Sequence, residues 1–345
     1  MALLTLNNVS KSFDDQSVVN NLSLEIEAGA FVALLGPSGC GKSTTLRMLA
    51  GFEQVSQGSI HHGDLCLSQP GIQVPAEQRN FGMVFQSYAL WPHMSVEDNI
   101  GYPLQIKGVK ANEKRQRINE ALEIVQLAPF AKRLPADLSG GQRQRVALAR
   151  SLVTEPQVVL LDEPLANLDR HLRATMEETF RLFHQRTGST MVYVTHDQGE
   201  AMSLADKIAV LKNGELLQWC APSELYQQPK NSWLANFIGR GSIVQIEGAI
   251  AGQRVDSAII QQQLLANRAK QNATQVLIRP ESLCLHPSAG ISARVSNCIY
   301  RGERYDVELT LLDGQTLQAY HQQPLMIGQH IYVQCGDGWA LEPTL

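Results

Sequence analysis

No apolar run in this 345-residue chain approaches the ~20 residues that a membrane-crossing helix needs. Passage through a bilayer by helices is therefore excluded, and any membrane role must come through a partner. There is no excess of basic charge either. The 29 Lys and Arg face 33 Asp and Glu, a net charge of -4, which argues against a nucleic-acid binder, since that needs a basic footprint. The six cysteines (Cys40, Cys66, Cys220, Cys284, Cys298, Cys335) are scattered and form no C-x-x-C pair. That removes the usual zinc and dithiol motifs and fits a reduced, cytosolic compartment. The stretch Met1-Ala2-Leu3-Leu4-Thr5-Leu6-Asn7 has no cationic region and no cleavage signal, so no leader is expected. Low-complexity tracts, tandem repeats and heptad insertions are missing as well.

What is present is the composition of a soluble globular protein, 44% hydrophobic and 18% charged, with room for two domains. Its most informative stretch is Gly36-Pro37-Ser38-Gly39-Cys40-Gly41-Lys42-Ser43-Thr44. It fits G-x-x-x-x-G-K-[ST], follows the apolar run Phe31–Leu35 and precedes the helix-like residues 45–50, the context a phosphate-cradling loop requires. Glycines let backbone N–H groups converge on phosphate oxygens, and a helix N-terminus adds partial positive charge. Lys42 is expected to reach the β- and γ-phosphates, and the Ser43 hydroxyl to ligate Mg²⁺. At Cys40 the backbone N–H matters more than the sulfur, although oxidation there would block ATP. Alone, this loop says nucleotide; kinases, GTPases and motor ATPases share it.

Short strands are read at Leu3–Val9 and Val18–Ile26, then continuous apolar runs at Phe31–Leu35, Val158–Leu161, Met191–Val194 and Ile208–Leu211. Such runs suit parallel strands buried on both faces. Lys212-Asn213-Gly214-Glu215 signals a hairpin. Residues 111–127 carry Ile118, Leu122 and Val125 at helical spacing, and Leu172, Met176, Phe180 and Phe183 repeat that pattern as a core stripe. Residues 241–345 hold seven Lys/Arg and nine Asp/Glu and read as short strands with turns, a small all-β module.

Two further motifs narrow the chemistry. Val158–Leu161 ends in Asp162 and Glu163. Asp162 at the strand end can join the Mg²⁺ shell, and Glu163 can polarise a water for in-line attack. Leu138-Ser139-Gly140-Gly141-Gln142 opens a helix, with Ser139 a natural N-cap and Gly140 and Gly141 leaving the backbone bare for an anion. Here the chain resembles the ABC ATPases, whose signature is LSGGQ. The resemblance implies that the signature residues Ser139, Gly140, Gly141 and Gln142 contact ATP bound to a second copy, so that two chains pair head to tail. It also makes Gln86, after Phe81–Phe85, a ligand of Mg²⁺ or a contact of the attacking water. His196 becomes the switch histidine beside the γ-phosphate, and Asp169 in Asn167-Leu168-Asp169 an interface loop residue. Phe13 becomes an adenine-stacking aromatic, with a core role as its alternative, and Val18 is taken with it as a nucleotide contact.

The resemblance implies an α/β P-loop nucleotide-binding domain over 1–240, with a helical insert at about 88–150, then a small all-β, oligobinding-fold-like domain over 241–345. Ile278-Arg279-Pro280-Glu281 and Asn236-Phe237-Ile238-Gly239 are similar to importer ATPases that carry such a module for regulation or dimerisation. It implies an ATPase coupled to solute import, using ATP and Mg²⁺. The expected partners are a second copy, an integral membrane permease and, indirectly, a periplasmic or extracellular solute-binding protein. Nucleic acid is not expected. The chain would sit peripherally on the cytoplasmic face of the cell membrane. Tyr88, Leu90 and Trp91 would line a groove for the permease's coupling helix, with ordinary core as the other reading. Ferric iron is the first cargo expected; polyamine, sulfate or sugar import and a non-transport ABC ATPase are the alternatives.

Overall fold

The computed structural model describes residues 2–14, 16–85, 87–166, 168, 170–266 and 273–343. Gln86, Asn167 and Asp169 lie outside the described residues. The chain forms two compact units, dividing at Pro222 and Ser223.

In the first unit the elements run β1 (Ala2–Phe13), β2 (Gln16–Glu27), β3 (Phe31–Leu35), α1 (Lys42–Ala50), β4 (Gln57–His62), β5 (Leu65–Gln69), β6 (Ile72–Gln73) and β7 (Gly82–Val84). They continue through α2 (Val96–Ile106), α3 (Ala111–Ile124), α4 (Gly140–Leu152), β8 (Val158–Asp162), α5 (Arg170–Thr187), β9 (Thr190–Thr195), α6 (Gln198–Leu204), β10 (Lys207–Lys212) and β11 (Glu215–Cys220). One sheet is antiparallel, in the order β2-β1-β4-β5-β6. The other has the order β11-β10-β3-β9-β8-β7, parallel from β10 to β7. Every residue of β3 and β9 is buried, as expected of a parallel sheet covered on both faces; one face packs against the antiparallel sheet and α1. Of the expected α5 stripe, Met176, Phe180 and Phe183 are fully buried, each such side chain contributing about 1.5–3 kcal/mol, while Leu172 is half-buried. Asn213 and Gly214 both take positive φ, 50° and 83°, as a two-residue hairpin turn needs.

Register positions the site. Leu35 pairs beside Thr195, and Asp162 beside Val194. Three neighbouring strands therefore end at one edge, and the phosphate loop, Glu163 and His196 are the residues that leave them. Crevices at the carboxyl ends of such strands are where open α/β sheets bind ligands. The stretch of about 88–150 expected as a helical insert carries α2, α3 and all but the end of α4.

The second unit carries α7 (Pro222–Gln227), α8 (Ser232–Phe237), β12 (Ser242–Glu247), β13 (Arg254–Val255), α9 (Ser257–Ala266), β14 (Ala273–Ile278), β15 (Leu283–His286), β16 (Ile291–Tyr300), β17 (Tyr305–Leu311), β18 (Thr316–His321), β19 (His330–Cys335) and β20 (Gly338–Ala340). Two sheets, β12-β14-β20-β13 and β15-β19-β16-β17-β18, share one core. The module is mainly β, but α9 is a helix that the strand-like reading of 241–345 did not foresee; its Ile260 and Leu264, one turn apart, are buried. The unit begins at Ser223, before the residue 241 expected for the β module. Arg279 explains why: its guanidinium donates to the carbonyls of Tyr226 (2.9 Å) and Arg240 (2.8 Å) and lies 4.0 Å from the Tyr226 ring centre. The residues just before 241 are thereby tied to β14.

Candidate functional site

The loop between β3 and α1 has a shape that only its glycines permit. Gly36 has φ 157°, and a Cβ there would overlap the Leu211 carbonyl and sit 2.7 Å from Cys40 Sγ. Gly41, at φ 98°, would place a Cβ 2.7 Å from the Val18 carbonyl oxygen. Pro37, Ser38 and Gly39 are exposed at the crest, and Thr44 is half-buried. Lys42 is 5% exposed, and its ammonium donates to the carbonyls of Gly36 and Pro37, both at 2.8 Å. Its charge is thus held under the loop rather than in solvent. The Cys40 thiol is also buried, and burial pushes its pKa up, with Lys42 opposing. Neither access nor thiolate character favours the oxidation considered from the sequence.

Ser43 Oγ donates to Asp162 Oδ1 at 3.0 Å. A hydroxyl and a carboxylate from different elements thus converge beside the loop. These hard oxygen donors suit Mg²⁺. Burial holds the Asp162 carboxyl above its ordinary value, the Ser43 hydroxyl opposes this, and neighbouring Glu163 adds to it.

Glu163 follows in the left-handed region, φ 43°, with its N–H donated to Val194 O at 3.0 Å. For a residue with a Cβ this conformation costs about 1–2 kcal/mol. It turns the side chain toward β9, where Glu163 Oε1 lies 3.3 Å from His196 Nδ1. The His196 side chain is 54% exposed.

Behind His196 stands a network the sequence reading missed. Buried Glu200 accepts from Thr195 Oγ1 (2.6 Å) and Tyr193 OH (2.8 Å), and its other oxygen is 3.6 Å from Arg173 Nε. Asp197 caps α6 by accepting from Gly199 and Glu200 N–H, and it pairs with Arg173 at 2.7 Å. Burial raises the Glu200 pKa, against the Thr195 and Tyr193 hydrogen bonds. The spacing Asp197-x-x-Glu200 is a capping-box pattern and was the available signal.

Ser139 caps α4 in a full capping box with Gln142: Gln142 N–H donates to Ser139 Oγ at 3.3 Å, and Ser139 N–H to Gln142 Oε1 at 2.9 Å. A Cβ on Gly140 would meet only the Leu168 side chain, at an ordinary 4.0 Å, but one on Gly141 would lie 2.5 Å from the Leu172 side chain. Close α4–α5 packing therefore accounts for the second glycine, and a bare anion-binding backbone is offered mainly at the first. Among the described residues no hydrogen bond or ion pair joins 139–142 to the phosphate loop of the same chain. Phe13 is 43% exposed with the Lys11 ammonium 4.7 Å from its ring centre, so it is not a core residue. Val18 is half-buried against the loop at Gly41. Tyr88, Leu90 and Trp91 are half-buried, neither core nor fully open.

Residues 19–166 match the family model for ABC transporters, and residues 276–338 match that for the TOBE domain. An ATP-binding protein for Fe(3+) ion import from Rhizobium etli is 45% identical over 313 residues, 89% of this chain and 87% of that protein. The Vibrio cholerae protein of the same name is 42% identical over 337 residues, 96% and 94% of the two chains. Among solved structures, an ABC transporter component from Clostridium perfringens superposes with a TM-score of 0.60 at 26% identity, over 65% of this chain and 90% of its own. An ATP-binding cassette solved as a dimer with ADP and phosphate after hydrolysis gives 0.56 at 30% identity, over 64% and 98%.

Proposed function

The chain belongs to the ABC transporter family as an ATP-binding, ATP-hydrolysing subunit, and on that premise we propose that it energises ferric iron import through a separate membrane permease. The observation that carries the cargo is the identity, 42 to 45%, to Fe(3+) import ATP-binding proteins across most of both chains. Polyamine, sulfate and sugar import remain the competing cargoes, and a non-transport ABC ATPase the more distant alternative. No helix among the described residues is long and apolar enough to cross a membrane. Peripheral attachment at the cytoplasmic face, through the permease, supplies the membrane link; a solute-binding protein outside would deliver cargo to that permease.

The chemistry proposed follows from the groups at the sheet edge. The loop N–H groups and Lys42 bind the phosphates, and Phe13 stacks on the adenine beside Val18. Ser43 and Asp162, with Gln86, would hold Mg²⁺, which when bound neutralises charge on the β- and γ-phosphate oxygens. Glu163 accepts a proton from the attacking water. Its partner His196 orients that water and the γ-phosphate. Ser139, Gly140, Gly141 and Gln142 act on ATP held by the second copy, with Asp169 at that interface. Two copies closing on two nucleotides then drive the permease, and hydrolysis resets them.

The test is uptake. Inactivating the gene should abolish accumulation of radioactive ferric iron, and wild-type protein, but not Glu163→Gln, should restore it. Normal iron uptake with loss of polyamine, sulfate or sugar uptake would assign the cargo to the alternative.

A further inference from the structure

Arg150 sits in the last turn of α4, the opposite end from the signature. It is 9% exposed, yet among the described residues no carboxylate pairs with it. Its guanidinium is spent on the segment that follows β7. One nitrogen donates to Ala89 O at 2.7 Å and the other to Tyr88 O at 3.0 Å, while the group lies 4.8 Å from the Trp91 ring centre. A buried cation is costly unless compensated, and here two carbonyl dipoles and an indole face compensate it. Tyr88 and Ala89 both take left-handed backbone, φ 62° and 46°. Two successive non-glycine residues hold that conformation only where their surroundings over-determine it, and the planar fork of Arg150 spans both.

The other side of the segment is held from α2. Asn99, fully buried, accepts from Trp91 N–H at 2.9 Å and donates to the carbonyls of Trp91 and Met94 at 3.1 and 3.0 Å. The next residue of α4, Ser151, donates to Met83 O on β7 at 2.9 Å. The signature helix is thus pinned at its far end to the sheet and to this segment together. At its signature-proximal end, Gln144 is fully buried with neither amide atom hydrogen-bonded.

We propose that Arg150 is a positioning residue that makes the signature helix and segment 87–93 move as one body, so that closure around ATP reaches the permease-facing aromatics. This rests on the importer reading above. A helix is stiff, so displacement at Ser139 appears at Arg150, and the fork passes it to two successive peptide units. Lysine can donate to two successive carbonyls, as Lys42 does, but only from one point, without the planar fork that lies against Trp91 while each of its nitrogens holds a separate carbonyl.

The test compares Arg150→Met and Arg150→Lys in the full-length protein, alone and bound to its permease. In the isolated protein, R150M should speed amide exchange at 87–93 at least tenfold, leave β3, β8 and β9 unchanged, and keep ATPase within twofold. In the complex, permease-stimulated ATPase should fall at least tenfold, with R150K intermediate in both readouts. Unchanged exchange at 87–93, an equal loss of isolated and stimulated ATPase, or full rescue by lysine would overturn the proposal. Should R150M not fold, R150K against wild type carries the same comparison. If no permease stimulates wild type, the importer reading fails, and the exchange experiment still decides whether Arg150 holds the segment.

Discussion

Glu163→Gln isolates the proposed chemical step because the structure accounts for everything else the side chain does. The substitution keeps length and shape. An amide can still meet His196 Nδ1 across the present 3.3 Å. The backbone at φ 43° is as accessible to Gln as to Glu, and its N–H bond to Val194 O at 3.0 Å involves no side chain. What is lost is an oxygen able to take a proton from water. Removing such a base costs about a hundred- to ten-thousand-fold in rate, about 2.7–5.4 kcal/mol of barrier. The expected outcome is a kcat reduced by that range, with ATP affinity within about threefold and a dimer that retains ATP on gel filtration. Phosphate release by stopped-flow and nucleotide content by chromatography read the two halves. Glu163→Gly is the control for strain: it should be as inactive, yet releasing the left-handed penalty, about 1 kcal/mol after glycine's own entropy, should raise Tm by about 2–4 °C. A Glu163→Gln enzyme within tenfold of wild type, or one whose loss is all in ATP binding, would refute the assignment.

Ser139→Arg should stop hydrolysis while each monomer still binds ATP; Ser139→Asn, which preserves the N-cap worth about 1 kcal/mol, should leave stability intact and separates capping from the shared site. Hydrolysis unchanged in the arginine variant would dismiss it. Phe13→Ala should weaken ATP binding by about 1–3 kcal/mol with only a small shift in Tm, since Phe13 is 43% exposed and its recorded ring contact is Lys11; calorimetry showing unaltered affinity would return Phe13 to a surface role. Burial raises the Glu200 pKa in the native state, so the native state binds that proton more tightly than the unfolded chain. The stabilisation is complete below the ordinary glutamate value and is lost as pH rises through the raised one. Glu200→Gln should therefore lose more stability relative to wild type at pH 4 than at pH 8, measured by thermal unfolding; a pH-independent difference would contradict this.

The motifs were legible because each needs particular residues close together in sequence. Gly36 and Gly41 are demanded by backbone that a Cβ would obstruct, and Ser139 with Gln142 closes its own helix start within four residues. The parallel strands β3, β8, β9 and β10 were legible because burial on both faces leaves few polar positions, whereas β7, only Gly82–Val84, was too short to read. Less was visible where long-range contacts decide. Nothing local marks Gly141 as a packing residue for Leu172, or α9 as a helix within a β module. Arg279 drew notice as part of a motif, but its hold on Tyr226 and Arg240 depends on β14 lying beside them.

By itself, then, the sequence determined that a phosphate loop, an acidic strand end, a signature turn and a strand-end histidine exist, since each is written in a short local pattern. Only the tertiary structure decided that Ser43 meets Asp162, that Glu163 meets His196, and that Arg150 grips the segment after β7. Those meetings follow from the strand order β3-β9-β8-β7 and from helix packing. They join residues far apart along the chain, whose proximity is set by burying a shared core rather than by any neighbour in sequence.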